Sequence, residues 1–239
     1  MFKKRTIDWN KKILNIVPLY GLVPLLLTPA FNMLIYFGTK PITYLMKSHD
    51  VTIFVDNYIP QIQWWMIIYV LAYVVWIVGF ILLAREEKDI CFEIFAAENS
   101  AKIICFIVFM VYPTTMAVPE LKGSGFVRWL SDLVYFLDDS YNNPSHLLPS
   151  IHCLESWILF RAALRSKIRN YKYGNIFVIY SFIAAVAICA STVFVKQHVI
   201  LDVIAGILVV EFGLFMSKKF KLSRFYYKLE DMIGASKRA

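Results

Sequence analysis

Along this chain, uncharged apolar runs long enough to cross a membrane alternate with short clusters of charge. Ile13–Thr39, Gln63–Ala84 and Tyr173–Val195 contain no charged residue, and Ile103–Val118 is a shorter run of the same kind. Pro149–Arg165 and Gln197–Ser217 are also apolar but carry Glu155 and Asp202. A helix of about 20 apolar residues matches the thickness of a bilayer and satisfies its own backbone there. The pattern predicts an all-α polytopic membrane bundle of about six transmembrane helices. Pro18, Pro24 and Pro29 are expected to kink or interrupt the first.

Two further segments read as amphipathic helices at the membrane interface. In Arg85–Lys102, Ile90, Cys91, Ile94 and Phe95 fall on one side. In Glu120–Leu148, Phe126, Leu130, Leu133, Val134 and Leu137 recur at helical spacing, with Arg128, Asp132 and Asp139 among the polar positions. This second helix would either guide a lipid sideways into a site or serve as a plain structural lid. Residues 40–60 read as a polar loop, partly re-entrant. The whole chain, 1–239, is one integral-membrane domain ending in a basic tail, 218–239, with no internal repeat.

Composition sharpens this picture through charge. Of 239 residues, 59% are hydrophobic and 18% charged, below the roughly 25% of soluble domains. A net charge of +8 would suggest nucleic acid in a soluble protein. Here Lys and Arg cluster at segment ends, as topology signals and contacts to anionic membrane lipids do, which argues against nucleic acid. Segments 1–12, 85–102, 161–172 and 218–239 hold all of the Lys and Arg except Lys40, Lys47, Lys122, Arg128 and Lys196. The positive-inside rule then makes both termini cytoplasmic and brings His152 and His198 to the outer face. The cysteines (Cys91, Cys105, Cys153 and Cys189) lack C-x-x-C spacing and read as small buried hydrophobes.

Candidate chemistry centres on Ser191–Asp202, S-T-V-F-V-K-Q-H-V-I-L-D. Residues four apart on a helix share a face, so Asp202 can reach the imidazole of His198. A carboxylate on one ring nitrogen fixes the tautomer and leaves the other more basic, as a nucleophilic histidine requires. Lys196, Ser191 and Thr192 precede it with positive charge and hydroxyl donors suited to a phosphate. Pro149-Ser150-Ile151-His152 supplies a second histidine at the start of another helix. There the backbone N–H groups of Ser150, Ile151 and His152 would form an anion site. No metal or other cofactor is needed. His146 and His49 read as loop residues, Glu155 as a tuner of His152 or a bond within the bundle, and Glu211 as structural. Thr114 and Thr115 read as helix-to-helix bonds or pocket lining.

Together these two stretches resemble the type 2 phosphatidic acid phosphatase family, which shares its phosphate pocket with vanadium haloperoxidases. The family carries P-S-G-H, here P-S-I-H, and S-R-x5-H-x3-D, here S-T-x5-H-x3-D, in the same order. The resemblance covers roughly residues 100–215. It implies His198 as nucleophile, Asp202 as its partner and His152 as general acid and base. The implied substrate is a lipid phosphate or diphosphate: phosphatidic acid, phosphatidylglycerol phosphate or a polyprenyl diphosphate such as undecaprenyl diphosphate, at the outer face of a bacterial plasma membrane. Three cations of the family pattern are missing. Val118 stands where arginine is expected before Pro119, and Val111 where lysine is expected; Thr192 replaces the second arginine. Lys196, or more distantly Lys122 and Arg128, would have to compensate. A phosphoryl or head-group transferase, or a non-catalytic protein of the same fold, are the alternative readings.

Overall fold

The computed structural model describes residues 16–121, 123–138, 140 and 145–233. The basic segment 1–12, Lys122, Asp139 and the end of the tail lie outside the described residues. The described chain forms eight α-helices: α1 (Leu19–Thr43), α2 (Trp65–Ala84), α3 (Lys88–Val111), α4 (Gly125–Leu137), α5 (Ile151–Arg165), α6 (Gly174–Phe194), α7 (Ile200–Phe220) and α8 (Arg224–Met232). A parallel bridge pairs His49–Asp50 with Thr114–Thr115.

Five of these helices, α1, α2, α3, α6 and α7, are long and apolar enough to cross a membrane. Their outward residues, among them Leu34, Ile77, Ile107, Ile179 and Leu208, are exposed hydrophobics, as lipid-facing positions should be. The sixth expected span, α5, has only 15 residues. It packs against α2, α3, α6 and α7 at the centre of the bundle, where Leu154 and Ile158 are fully buried. Protein shields it rather than lipid. The chain is an all-α membrane bundle.

Two expectations change. The first span is an unbroken helix of 25 residues despite Pro24, Pro29 and Pro41 within it, and Pro18 caps its start. Each proline removes one backbone bond, which neighbouring helices and the rest of a long helix absorb. The larger correction concerns Arg85–Lys102. It is not a separate surface helix but the first half of α3, continuous with the third span. Cys91, Ile94, Phe95 and Ala97 are fully buried there. Of the charges that suggested a surface location, Arg85, Glu87 and Asp89 are exposed, and Glu98 and Lys102 pair inside the bundle. The Lys102 ammonium lies 2.7 Å from Glu98 and 2.7 Å from Glu155 of α5, with all three residues buried. Glu155 therefore bonds within the bundle.

The topology puts two kinds of chemistry at opposite ends. Arg165 pairs with Glu93 at 2.7 Å and Lys88 with Glu230 at 2.7 Å at one end, with the basic turn Lys167–Asn170 beside them. The opposite end gathers the start of α5, the turn before α7 and the loop after α4, which carry His152, His198 and His146. Helices approach closely in between. A Cβ on Gly213 of α7 would lie 2.5 Å from the Ala97 carbonyl oxygen of α3, so a small residue is needed at that crossing.

Removing the Lys102 ammonium leaves two buried carboxyl groups without their counter-charge, a loss of about 3–5 kcal/mol. Lys102→Met is expected to lower the thermal midpoint of the purified protein steeply. Lys102→Met combined with Glu98→Gln and Glu155→Gln should recover most of that loss, because no buried charge is then stranded.

Candidate functional site

Asp202 is the third residue of α7 and is completely buried. Its Oδ2 accepts a hydrogen bond from the Val199 amide at 2.9 Å, closing the first turn, and lies 3.1 Å from His198 Nδ1. His198 itself precedes the helix. The four-residue spacing still produces the expected contact, through an N-terminal carboxylate that reaches back. The Asp202 carbonyl accepts the Ser150 amide at 3.1 Å, which joins the His198 turn to the start of α5. Contact at this joint is close: a Cβ on Gly206 would sit 2.7 Å from the Ser150 carbonyl oxygen.

The His152 ring thereby comes to 6.1 Å from the His198 ring, centroid to centroid. It stacks on Tyr69 at 4.3 Å, meets Trp76 edge-on at 4.9 Å, and has no hydrogen-bond partner at its buried Nε2. Ser150 caps α5, its hydroxyl oxygen 3.4 Å from the Cys153 amide. Ile151 and His152 occupy the first two positions of α5, where an amide has no acceptor within the helix.

Other expected phosphate ligands point elsewhere. Ser191 donates to the Ile188 carbonyl at 2.6 Å and Thr192 to that of Cys189 at 2.8 Å; both are fully buried. Lys196 adopts a left-handed backbone (φ 58°) and donates from Nζ to the Asp56 carbonyl at 3.0 Å. Tyr135 of α4 pins this turn, its hydroxyl 2.9 Å from the Val195 and Lys196 carbonyls. Val118, where a cation was expected, borders a small recess with Lys196 and Gln197. Arg128 Nε donates to the Asp132 carboxylate, 2.9 and 3.0 Å from its two oxygens. Thr114 accepts the amides of Leu147 and Leu148 and so holds the loop that leads to Pro149. Glu211 accepts from Trp157 Nε1 at 2.7 Å and pairs with Arg161.

His152 and His198 open onto a cavity of about 600 Å³ between α1, α2, α4 and α5. Leu130, Leu133, Val134 and Leu137 of α4 form one apolar wall, with Leu133 and Leu137 exposed, while Val127, Ser131 and Tyr135 are the residues that this amphipathic helix buries. Among the described residues no Lys or Arg lines this cavity. Its wall does contain His146, expected only as a loop residue. His146 is buried, stacks on Phe109 at 4.6 Å, and places Nε2 2.8 Å from the Thr43 hydroxyl of α1. No local pattern links residues 103 apart in sequence.

The two loop imidazoles are tuned in opposite directions. Burial alone would lower the His198 pKa, but the hydrogen bond and charge of Asp202 outweigh it and raise it above the ordinary value. Burial, assisted by the nearby Lys40 ammonium, lowers His146 to about 4. No family model, curated protein or solved structure matches the chain.

His146 is thus neutral when folded yet protonates near pH 6.5 when unfolded, so the unfolded state gains a proton as pH falls. Stability is expected to drop between about pH 6.5 and pH 4 by roughly 3 kcal/mol from this group. Urea unfolding of the wild type and His146→Gln over that range should show the variant losing less.

Proposed function

We propose that this chain is a membrane phosphatase that hydrolyses a lipid phosphate or diphosphate through a phosphohistidine on His198. The observation that carries the reading is the His198–Asp202 pair beside His152, on one cavity that also offers a long apolar wall. Asp202 holds the proton on Nδ1, so Nε2 is the nucleophile. Nε2 attacks phosphorus, the bond to the leaving oxygen breaks, and that oxygen takes its proton from His152, which burial and the neighbouring His198 keep neutral in the free protein and which the acidic phosphate protonates as the substrate binds. Water then attacks the phosphohistidine while His152 takes a proton from it, releasing phosphate and restoring both rings. The first-turn amides of α5 stabilise the phosphoryl oxygens. The resemblance of P-S-I-H and S-T-x5-H-x3-D to the type 2 phosphatidic acid phosphatases supports the same three roles. Positive charge at the opposite end of the bundle supports a site facing away from the cytoplasm.

Transfer to an alcohol in place of water is a second reading. The aromatic enclosure of His152 by Tyr69, Tyr73 and Trp76 favours it, because those rings limit access of water to the general base.

Detergent-purified protein is expected to release phosphate from at least one of phosphatidic acid, phosphatidylglycerol phosphate and undecaprenyl diphosphate. His198→Ala should abolish release, and Asp202→Asn should reduce kcat by roughly 100-fold or more. The acid limb of the kcat/KM profile should lie above pH 6.5, since attack requires an unprotonated Nε2 and Asp202 raises that pKa. Asp202→Asn should move the limb down. Phosphate appearing only with an added alcohol would assign transfer, and no reaction under either condition would exclude both readings.

A further inference from the structure

A second cavity lies on the flank of the bundle, away from His198. At the histidine end α2 and α6 are held together: the Ile62 amide, just before α2, donates to the Phe194 carbonyl at 2.9 Å, and Trp65 packs on Phe194 at 4.9 Å. Toward the end that carries the turn Lys167–Asn170, the same two helices leave a groove of about 210 Å³, floored by Ser156, Leu159, Ala162 and Ala163 of α5. Val74, Val78 and Tyr180 on its rim are exposed, so it opens sideways to lipid. Ser156 accepts the Trp76 indole N–H at 3.0 Å, and that bond divides the groove from the histidine cavity, whose wall includes Trp76. The α2 side runs from Val74 to Glu86. That is about 18 Å of helix, close to the roughly 15 Å depth of hydrocarbon in one leaflet. Such a volume along such a length is the space of one extended chain, and a helix about 10–12 Å across does not fit it.

Charge at the mouth of the groove selects the head group. At Ile168, Phe177 and Tyr180 the groove runs into a shallow depression lined by Tyr171, Lys172 and Tyr173. These three are exposed, as is Arg169 in the turn before them. Two carboxylates stand on the α2 side, and both are occupied. Glu86 accepts the Ser166 hydroxyl and, at 3.1 Å, the Lys167 amide, while Glu87 holds the Lys167 ammonium at 2.7 Å. Arg169 donates to the Leu164 carbonyl at 3.3 Å and Lys172 lies 5.4 Å from the centre of the Tyr173 ring, so among the described residues neither has a carboxylate partner. We infer that the groove holds one acyl chain of an anionic glycerophospholipid, its phosphate between Lys172 and Arg169 with the hydroxyls of Tyr171 and Tyr173 as further donors. An ammonium head group gains nothing here, since Glu86 and Glu87 already have their donors. The lipid is a bound partner rather than a substrate, because the Trp76–Ser156 bond stands between its chain and the histidines. Its site stands or falls separately from the chemistry at His198.

Lipid retention by the full chain in detergent tests this. In native mass spectrometry with phosphatidylglycerol, phosphatidylethanolamine and phosphatidylcholine of matched acyl chains, one phosphatidylglycerol is expected to stay bound, retained roughly tenfold over either zwitterionic lipid. Arg169→Gln combined with Lys172→Gln, two exposed positions, should bring the three lipids to equal retention. Ala184→Trp, which fills the groove from α6, should remove the retained lipid. Should that variant fail to fold, the glutamine pair still decides. Equal retention of the three lipids by the wild type, a preference for phosphatidylethanolamine, or no retained lipid would overturn the site. So would a phosphatidylglycerol preference that survives the glutamine pair, or a lipid that stays bound in folded Ala184→Trp.

Discussion

The Asp202 residue is the point on which the rest of the cavity end depends. Its carboxylate takes the imidazole of His198 and the amide of Val199, and its carbonyl takes the amide of Ser150. One residue thus closes the first turn of α7, orients one histidine, and fixes where the helix bearing the other begins. Oδ1 remains buried without a partner. A substitution here acts on three geometric relations at once, so its effect cannot be apportioned among them by single mutants. Gly206 makes this joint possible by letting the α7 backbone approach the Ser150 carbonyl without a side chain between them.

The ion cluster of Lys102, Glu98 and Glu155 is the counterpart of this joint deeper in the bundle. Glu155 lies one turn beyond His152 on α5, and Lys102 ties that turn to α3. Burying three charges is favourable only when the groups satisfy one another, and it contributes register more securely than it contributes free energy. A helix as short as α5 has little lipid-facing length to set its depth. A fixed polar contact with α3 supplies that setting instead.

Much of the fold was legible because bilayer crossing imposes length and apolarity on each segment. Five helices satisfy that demand, and α4 showed its stripe through plain helical periodicity. The contact of His198 with Asp202 was legible from spacing alone, although the helix begins after the histidine. Illegible features depend on contacts distant in sequence. Arg85–Lys102 looked like a surface segment because the partner that neutralises Lys102 in part, Glu155, is on another helix. Ser191 and Thr192 looked like free donors, yet within a helix a short hydroxyl side chain reaches its own carbonyls first. Lys196 looked like a phosphate ligand, but its left-handed backbone sends the amine to Asp56. His146 could not be read at all, since its partners on α1 are fixed only by tertiary packing.

The length of α5 bears directly on how such a site could work without a lysine or arginine on its described wall. Fifteen residues span about 22 Å, some 8 Å less than a typical hydrocarbon layer of about 30 Å. Its last turn is held at the cation-rich end by Arg165 and Glu93, so the shortfall falls at the other end, where Ile151 and His152 begin the helix. The unpaired amides of that first turn, and the positive end of the helix dipole, then lie inside the cavity rather than in bulk water. Fixed dipoles act more strongly where the dielectric constant is low and need no reorganisation when charge develops. A longer α5 would carry the same sequence motif to the surface and give up that advantage. On this argument the brevity of α5, the one helix of the six-helix core too short to span alone, sets the electrostatics of the site as much as any side chain does.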